Sequence, residues 1–347
     1  MATLQAMLVR RLLAVLVAVG LVLAAVEARS RLVGQDGPPV ADGDLRVVCV
    51  RELAPVCDAV TTATPPVVED AATTVERFAE RDPRVDVWLT LAPWPELAAA
   101  GRARGGLPEV AATSSPVLAR SPALVVARRD RLRALEPTCD GGGLSWRCVG
   151  DAAGRAWADL DGDPAWGRVK VGLDRPERSA EGLLSLSQAT SDYFDGQEWT
   201  SRSLSSTDYF TWLSGLGAAV EQTAGQTPLE RMLLTGGADY EIAGALEATA
   251  VPLLRSAPQR AAQLAVRTIE PVVTADVVVV GYGGAGTPAV EAVAAQIEGA
   301  LADAGWRVGG APPPSESRIP ALAEDNGLPS AAALEALGQL WIEVARG

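Results

Sequence analysis

The chain has 347 residues, with 43 acidic against 30 basic side chains and a formal net charge of −13. That balance excludes a nucleic-acid binder, whose affinity rests on phosphate neutralisation by Lys and Arg; Lys170 is the single lysine. Histidine is absent, which excludes Ser-His-Asp and Cys-His catalysis and points away from an enzyme.

The elements begin with Arg10 and Arg11, followed by an unbroken apolar run from Leu12 to Val26. As a helix that run spans about 22 Å, short of the roughly 30 Å of bilayer hydrocarbon. Residues 1–28 therefore read as a signal peptide or a retained membrane anchor, and 29–44 as a polar Gly/Pro tether. No cysteine follows the run closely, so lipid attachment is not expected. All four cysteines lie beyond it, as Cys49, Cys57, Cys139 and Cys148. Four cysteines allow three connectivities; pairing of near neighbours is the economical one, and neither spacing suits a zinc knuckle. Disulfides require an oxidising compartment, in keeping with export. No metal or cofactor is expected.

From Arg46 onward, strand and helix signals alternate. Arg46–Val50 reads as a strand, Glu52–Val60 as a helix with Pro55 in its first turn, and Pro66–Val68 as a second strand. A helix near Thr74–Ala79 and a buried strand over Val85–Leu91 follow, and Pro95 opens the next helix. This βαβα rhythm predicts a mostly parallel sheet covered by helices. Residues 111–128 form a long extended stretch interrupted by Pro116 and Pro122, and Arg168–Leu173 is a strand. Ser179 is an N-cap for a helix through Leu186. Thr227-Pro228-Leu229-Glu230 is a capping box with Pro at the first helical position. A second long extended stretch, 264–282, is split by Pro271. Helices are expected from Thr287, with Val290, Val293, Ile297 and Leu301 on one face, and from Ser330 to Arg346. The exported part is long enough for two packed units. Two proline-split extended segments, far apart in sequence, suit a double hinge: lobe 1 from 45–118 plus 271–347, lobe 2 from 119–270.

Several segments carry a resemblance: CVRELAPVC (49–57), DVWLTLAPW (86–94), ATSSPVLARSPALVVARRD (112–130), WGRVKVGLDRPERSAEGLLSL (166–186) and GADYEIAGALEA (237–248). In that order they resemble the bacterial extracytoplasmic solute-binding proteins of type II periplasmic-binding fold, the group that includes molybdate- and sulfate-type binders. With GLPSAAALEALGQLW (327–341), the chain is also similar to a high-GC Gram-positive set in which such a module precedes a von Willebrand A domain. The resemblance implies an α/β, two-lobed fold with a double hinge, and a small polar solute held between the lobes. It also implies an ABC permease or a von Willebrand A-type envelope protein as partner, and a monomer.

In that fold, solutes sit on loops and helix N-termini that follow parallel strands, where free N–H groups and the positive end of the helix dipole hold oxyanions or carboxylates. The matching positions are Arg51 and Glu52, Thr90, and Thr113-Ser114-Ser115. In the second lobe they are Arg178 and Ser179, Tyr240 and Glu247. Ser179 also reads simply as a cap, and 113–115 as a strand end. Glu52 and Glu247 oppose an anion, which points to amines, hydroxyls or an empty cleft. Gly281-Tyr-Gly283-Gly-Ala-Gly286 spells a dinucleotide-type GxGxxG, but no acidic strand end follows at the required distance, so it reads as a glycine-rich loop. Asp159, Asp161 and Asp163 depart from an EF-hand order and read as an acidic turn. Trp88, Trp306 and Trp341 fall on core elements. The function expected is solute capture for a transporter; the alternative is a membrane-tethered interaction module of the same fold.

Overall fold

A computed structural model of the chain describes residues 45–220, 225–309, 319 and 321–345. The expected export segment and tether, and nearly all of the Gly/Pro/Ser connection 309–317, lie outside the described residues.

The first lobe is built as the apolar runs dictate. Strand β1 (Val47–Val50) is buried along its whole length, and β2 (Val67–Glu69) and β3 (Val87–Ala92) flank it in parallel. Continuous burial of β1 and β3 is what a sheet covered on both faces requires, which is why they read as unbroken apolar runs rather than alternations. After β1 the chain makes a 3-10 turn at Arg51–Leu53 and a short helix α1 (Ala54–Cys57). This is shorter than the helix expected to Val60, and Cys57 is tied back to Cys49 by a disulfide. Helix α2 (Ala71–Phe78) precedes β3, and α3 (Trp94–Arg104) follows it with Pro95 in its first turn.

The chain then reaches β4 (Ala112–Ser114) and the long β5 (Ala119–Arg128). The second lobe contains α4 (Arg129–Leu135), α5 (Trp146–Ala152), β6 (Val171–Gly172), α6 (Ala180–Tyr193), α7 (Thr207–Ala218) and α8 (Pro228–Thr235). It continues with β7 (Ile242–Leu246), α9 (Glu247–Ser256), α10 (Pro258–Ala261) and β8 (Leu264–Arg267). The chain returns along β9 (Thr274–Tyr282), then α11 (Thr287–Asp303), β10 (Arg307–Val308) and α12 (Ala331–Val344). The caps read from sequence are present. The Ser179 hydroxyl accepts from the Gly182 amide at the start of α6, and the Thr227/Glu230 capping box opens α8.

Strand β5 carries the junction. Ala119–Pro122 pairs with Val277–Thr274 of β9, whereas Ala123–Ala127 pairs with β7 and Val125–Arg128 with β8. Pro122 does not split the strand; its missing N–H falls where β5 changes partners, so little of the ladder is lost. The two proline-split segments are therefore side by side, and the sheet runs β2-β1-β3-β9-β5-β7-β6. Among the described strands, parallel pairing is found at β1–β2, β1–β3 and β6–β7, with one isolated parallel bridge between Val171 and Val220, while the two crossing strands run antiparallel to their neighbours. The sheet is thus mixed, with more antiparallel pairing than the βαβα rhythm alone indicates. Buried Gln188 of α6 pins the junction: its amide donates to Ile269 O at 3.0 Å and accepts from Trp146 Nε1 at 3.1 Å. Helix α12 packs on α3 of the first lobe and on α6 and α7 of the second, so the terminal helix is shared.

The main core runs through both lobes and includes Trp88, Trp146, Trp157 and Trp341; a smaller one gathers Leu229, Met232, Tyr240 and Ala243 behind β7. The second disulfide, Cys139–Cys148, closes a loop at the edge of the second lobe. Replacing both cysteines by serine is expected to lower stability by about 2–3 kcal/mol on loop-closure grounds. Urea unfolding measures it, and an unchanged midpoint would show that the bridge contributes nothing.

Candidate functional site

The seam between the lobes opens where β1 ends. The turn after Val50 points Arg51 and Glu52 at the start of α6, which hangs from the second lobe. Arg51 Nη2 donates to Asp174 Oδ2 at 2.8 Å, and Nη1 lies 3.3 Å from Asp70 Oδ1. Asp70, at the head of α2, also faces Arg175 and Arg178, each at 3.1 Å. Arg178 further donates to Thr73 Oγ1 at 2.8 Å, and its carbonyl accepts from the Ala72 amide at 3.1 Å. The carboxylate of Glu52 reaches across to the second lobe: Oε1 accepts from Ser179 Oγ at 3.0 Å and from the Glu181 amide at 2.9 Å. Burial pushes the Glu52 carboxyl above the ordinary carboxylate range, against the pull of the Glu181 amide.

Beside this contact lies a cavity of about 500 Å3 with walls from both lobes. Arg51, Glu52, Pro55, Asp303, Ala304 and Trp306 come from the first lobe; Asp174, Glu181, the 225–230 turn and the Ala248–Leu253 face of α9 come from the second. Two other recesses of similar size draw on the second lobe alone, and a third lies between α7 and the shared helix α12, away from the end of β1. Among the described residues of the interlobe wall, Arg51 is the one base against Glu52, Asp174, Glu181, Glu230 and Asp303. Glu181 is 3% exposed. Its Oε2 accepts from the Leu246 amide at 3.0 Å and from the Thr249 hydroxyl. Burial lifts its carboxyl from 4.5 to about 8, so it is mostly neutral at pH 7.

Of the side chains expected at the site, the fold brings Arg51, Glu52, Arg178 and Ser179 together at the seam. Glu247 lies near it but is held by Arg307, which donates to both carboxylate oxygens at 2.6 and 2.9 Å. Thr90 is fully buried inside β3. Thr113, Ser114 and Ser115 run along the far half of β9, Ser114 opposite Val280. That is about 20 Å along the strand from the changeover at Thr274, and level with the end of β1, since Cys49 pairs with Leu89 and Leu89 with Val279, whose carbonyl accepts from the Ser115 amide. Tyr240 is 1% exposed and packs in the smaller core. Sequence reasoning did not single out Asp70, Asp174, Arg175, Glu181 or Thr249, and it placed Trp306 in the core, where it is buried but also walls the cavity. An acidic residue two places after a Ser cap is a favourable helix start, so Glu181 carried a local signal, but one that describes an exposed residue. The glycine-rich turn 283–286 joins β9 to α11, and Asp163 caps a 3-10 turn through the Ala165 amide at 2.9 Å.

No family model and no curated protein sequence matches the chain. Solved structures do match over most of its length. A periplasmic thiamin binding protein aligns at 14% identity with a TM-score of 0.56, covering 89% of this chain and 99% of its own. The periplasmic binding protein AfuA from Actinobacillus pleuropneumoniae, solved with fructose-6-phosphate bound, aligns at 12% identity with a TM-score of 0.53, covering 87% and 98%. The apo ferric ion-binding protein A of Pasteurella haemolytica aligns at 11% identity with a TM-score of 0.52, covering 88% and 96%. Each is a binding protein by name, and each likeness is one of fold. With its junction at β5 and β9, its mixed sheet and its flanking helices, this chain has the two-lobed type II fold of periplasmic substrate-binding proteins.

Proposed function

We propose that the chain is an extracytoplasmic solute-binding protein that captures a small polar solute in the interlobe cavity and delivers it to an ABC-type permease, with no catalytic step. The lobes in this reading are 45–118 plus 271–347 and 119–270, with residues 1–28 directing export or anchoring the chain. One observation carries it: the 500 Å3 cavity takes its walls from both lobes. Any solute seated there touches both, so its binding energy favours the closed arrangement, which is the physical basis of hinge-bending receptors. The fold's neighbours support the same reading, since their names record capture of thiamin, ferric ion and a sugar phosphate.

A thermal-shift screen against small anions, sugars, amino acids and polyamines tests it. A solute at about 100 times its dissociation constant should add roughly 2.7 kcal/mol to stability. Flat melting curves across every class would remove the receptor role.

A second reading, an envelope interaction module tethered by its N-terminal segment, is favoured by the seam itself. Asp70 with three arginines, and Glu52 with the start of α6, join the lobes through the chain's own side chains. Small-angle scattering separates the two. A receptor expands when salt weakens the seam and contracts on solute, whereas a module keeps one radius throughout.

A further inference from the structure

The start of α6 faces the cleft and is built to hold an anion. A helix of 14 residues presents unsatisfied N–H groups and the positive end of its dipole there. Gly182 lets the preceding loop fold tightly onto it, since a Cβ at that position would lie 1.8 Å from Asp174 O. Yet the place is taken. Glu52, from the opposite lobe, puts Oε1 within hydrogen-bonding distance of both Ser179 Oγ and the Glu181 amide, at 3.0 and 2.9 Å. Its other oxygen, Oε2, is shielded from solvent, has no hydrogen-bond partner, and belongs to a side chain that walls the cavity. A carboxylate with one oxygen on a helix start and the other unanswered is held as a captured anion would be.

We propose that Glu52 is a built-in ligand: it fills the oxyanion seat of the second lobe, closes the cleft to anionic solutes, and leaves the rest of the cavity, where Asp174 is also present, to cationic or neutral ones. The tether is what makes this effective. A side chain held in place by the fold acts at a far higher effective concentration than a dilute free anion in solution, so free sulfate or carboxylate competes poorly for the seat. The solute preference rests on the cavity being the receptor site proposed above; the occupied seat does not, and it is tested without any solute.

The experiment deletes the tethered carboxylate and offers a free one. Glu52→Ala leaves Ser179 Oγ and the Glu181 amide facing a space that formate fits. Thermal unfolding of the full chain is followed in sodium formate and in sodium chloride at matched ionic strength. The variant is expected to gain a saturable, formate-specific stabilisation; at ten times the dissociation constant its folded-to-unfolded ratio rises about elevenfold. Wild type and Glu52→Leu, whose seats are filled, show none. If Glu52→Ala does not fold in chloride, formate restores folding to it and not to Glu52→Leu. Equal formate responses in wild type and Glu52→Ala, or an unfolded variant that formate leaves unfolded, overturn the proposal. That failure leaves the receptor reading standing, just as a fruitless solute screen leaves a positive formate result standing.

Discussion

Arg131→Met is expected to lower the unfolding free energy by about 3–5 kcal/mol. Arg131, on α4, is 7% exposed and its partner Glu241, just before β7, is 2% exposed. Nε donates to Glu241 Oε1 at 2.6 Å, and Nη1 to Asp130 Oδ2 at 2.9 Å. The guanidinium lies 3.7 Å from the ring centroid of Trp166, while Trp157 Nε1 donates to Glu241 Oε2 at 2.7 Å. Among the described residues, removing the arginine leaves the buried carboxylate the Trp157 indole N–H as its side-chain donor, and it is this desolvated, unpaired charge that costs the energy. Methionine keeps much of the side-chain volume, so the loss reports charge rather than a cavity. The double variant Arg131→Met/Glu241→Leu should regain a good part of it, because both buried charges are then gone. Denaturant unfolding of both variants decides the matter: a double variant less stable than the single would show that the contact acts through packing.

Glu181→Gln is expected to flatten the dependence of stability on pH between about pH 4.5 and 8. Burial raises the Glu181 carboxyl to about 8, with Asp174 and Glu52 adding to the rise and the Thr249 hydroxyl and Leu246 amide opposing it. Arg51 is the basic group on the same wall. Because the folded value lies above the ordinary 4.5, the native state holds the proton more tightly than the unfolded chain. The contribution is complete below about pH 4.5, declines as pH rises, and is gone once pH passes about 8. Across that window this group removes on the order of 5 kcal/mol from the wild type. Glutamine cannot ionise and keeps an acceptor oxygen for Leu246 and Thr249. The variant should therefore match wild type near pH 5 and exceed it near pH 8.5. Parallel stability curves for the two chains would exclude Glu181 as the source.

The two effects differ in how far the sequence foretells them. Strand β1, the capping box at Thr227, the Ser179 cap and the apolar face of α11 are all written within one turn or one strand of chain. Periodicity, proline and capping chemistry act at that range, so each reads directly from the residues. The disulfides follow the same logic, because pairing cysteines eight and nine residues apart closes the shortest loops. The double crossing was legible too, since proline in a long extended run must fall where the ladder can spare an N–H.

The site was legible only in part. Arg51 and Glu52 follow a buried strand and Ser179 opens a helix, and those local signals place all three correctly at element ends. What each faces is another matter. Glu52 meets Ser179 and Glu181 across separations of 127 and 129 residues, and Arg178 meets Asp70 across 108. Tyr240 and Thr90 look no different in sequence from exposed site residues, yet packing took them into the interior. Glu247 opens a helix, but it answers Arg307 rather than a solute.

By itself the sequence determined a disulfide-bearing α/β chain, the order of its elements and the two long extended segments that lie side by side. All of these depend on short-range backbone preference and apolar patterning. Only the tertiary structure decided that the oxyanion seat is filled from within and that Glu181 is buried beside it. Both depend on how two lobes meet, and a charge's energy is set by the groups around it in space rather than by its neighbours along the chain.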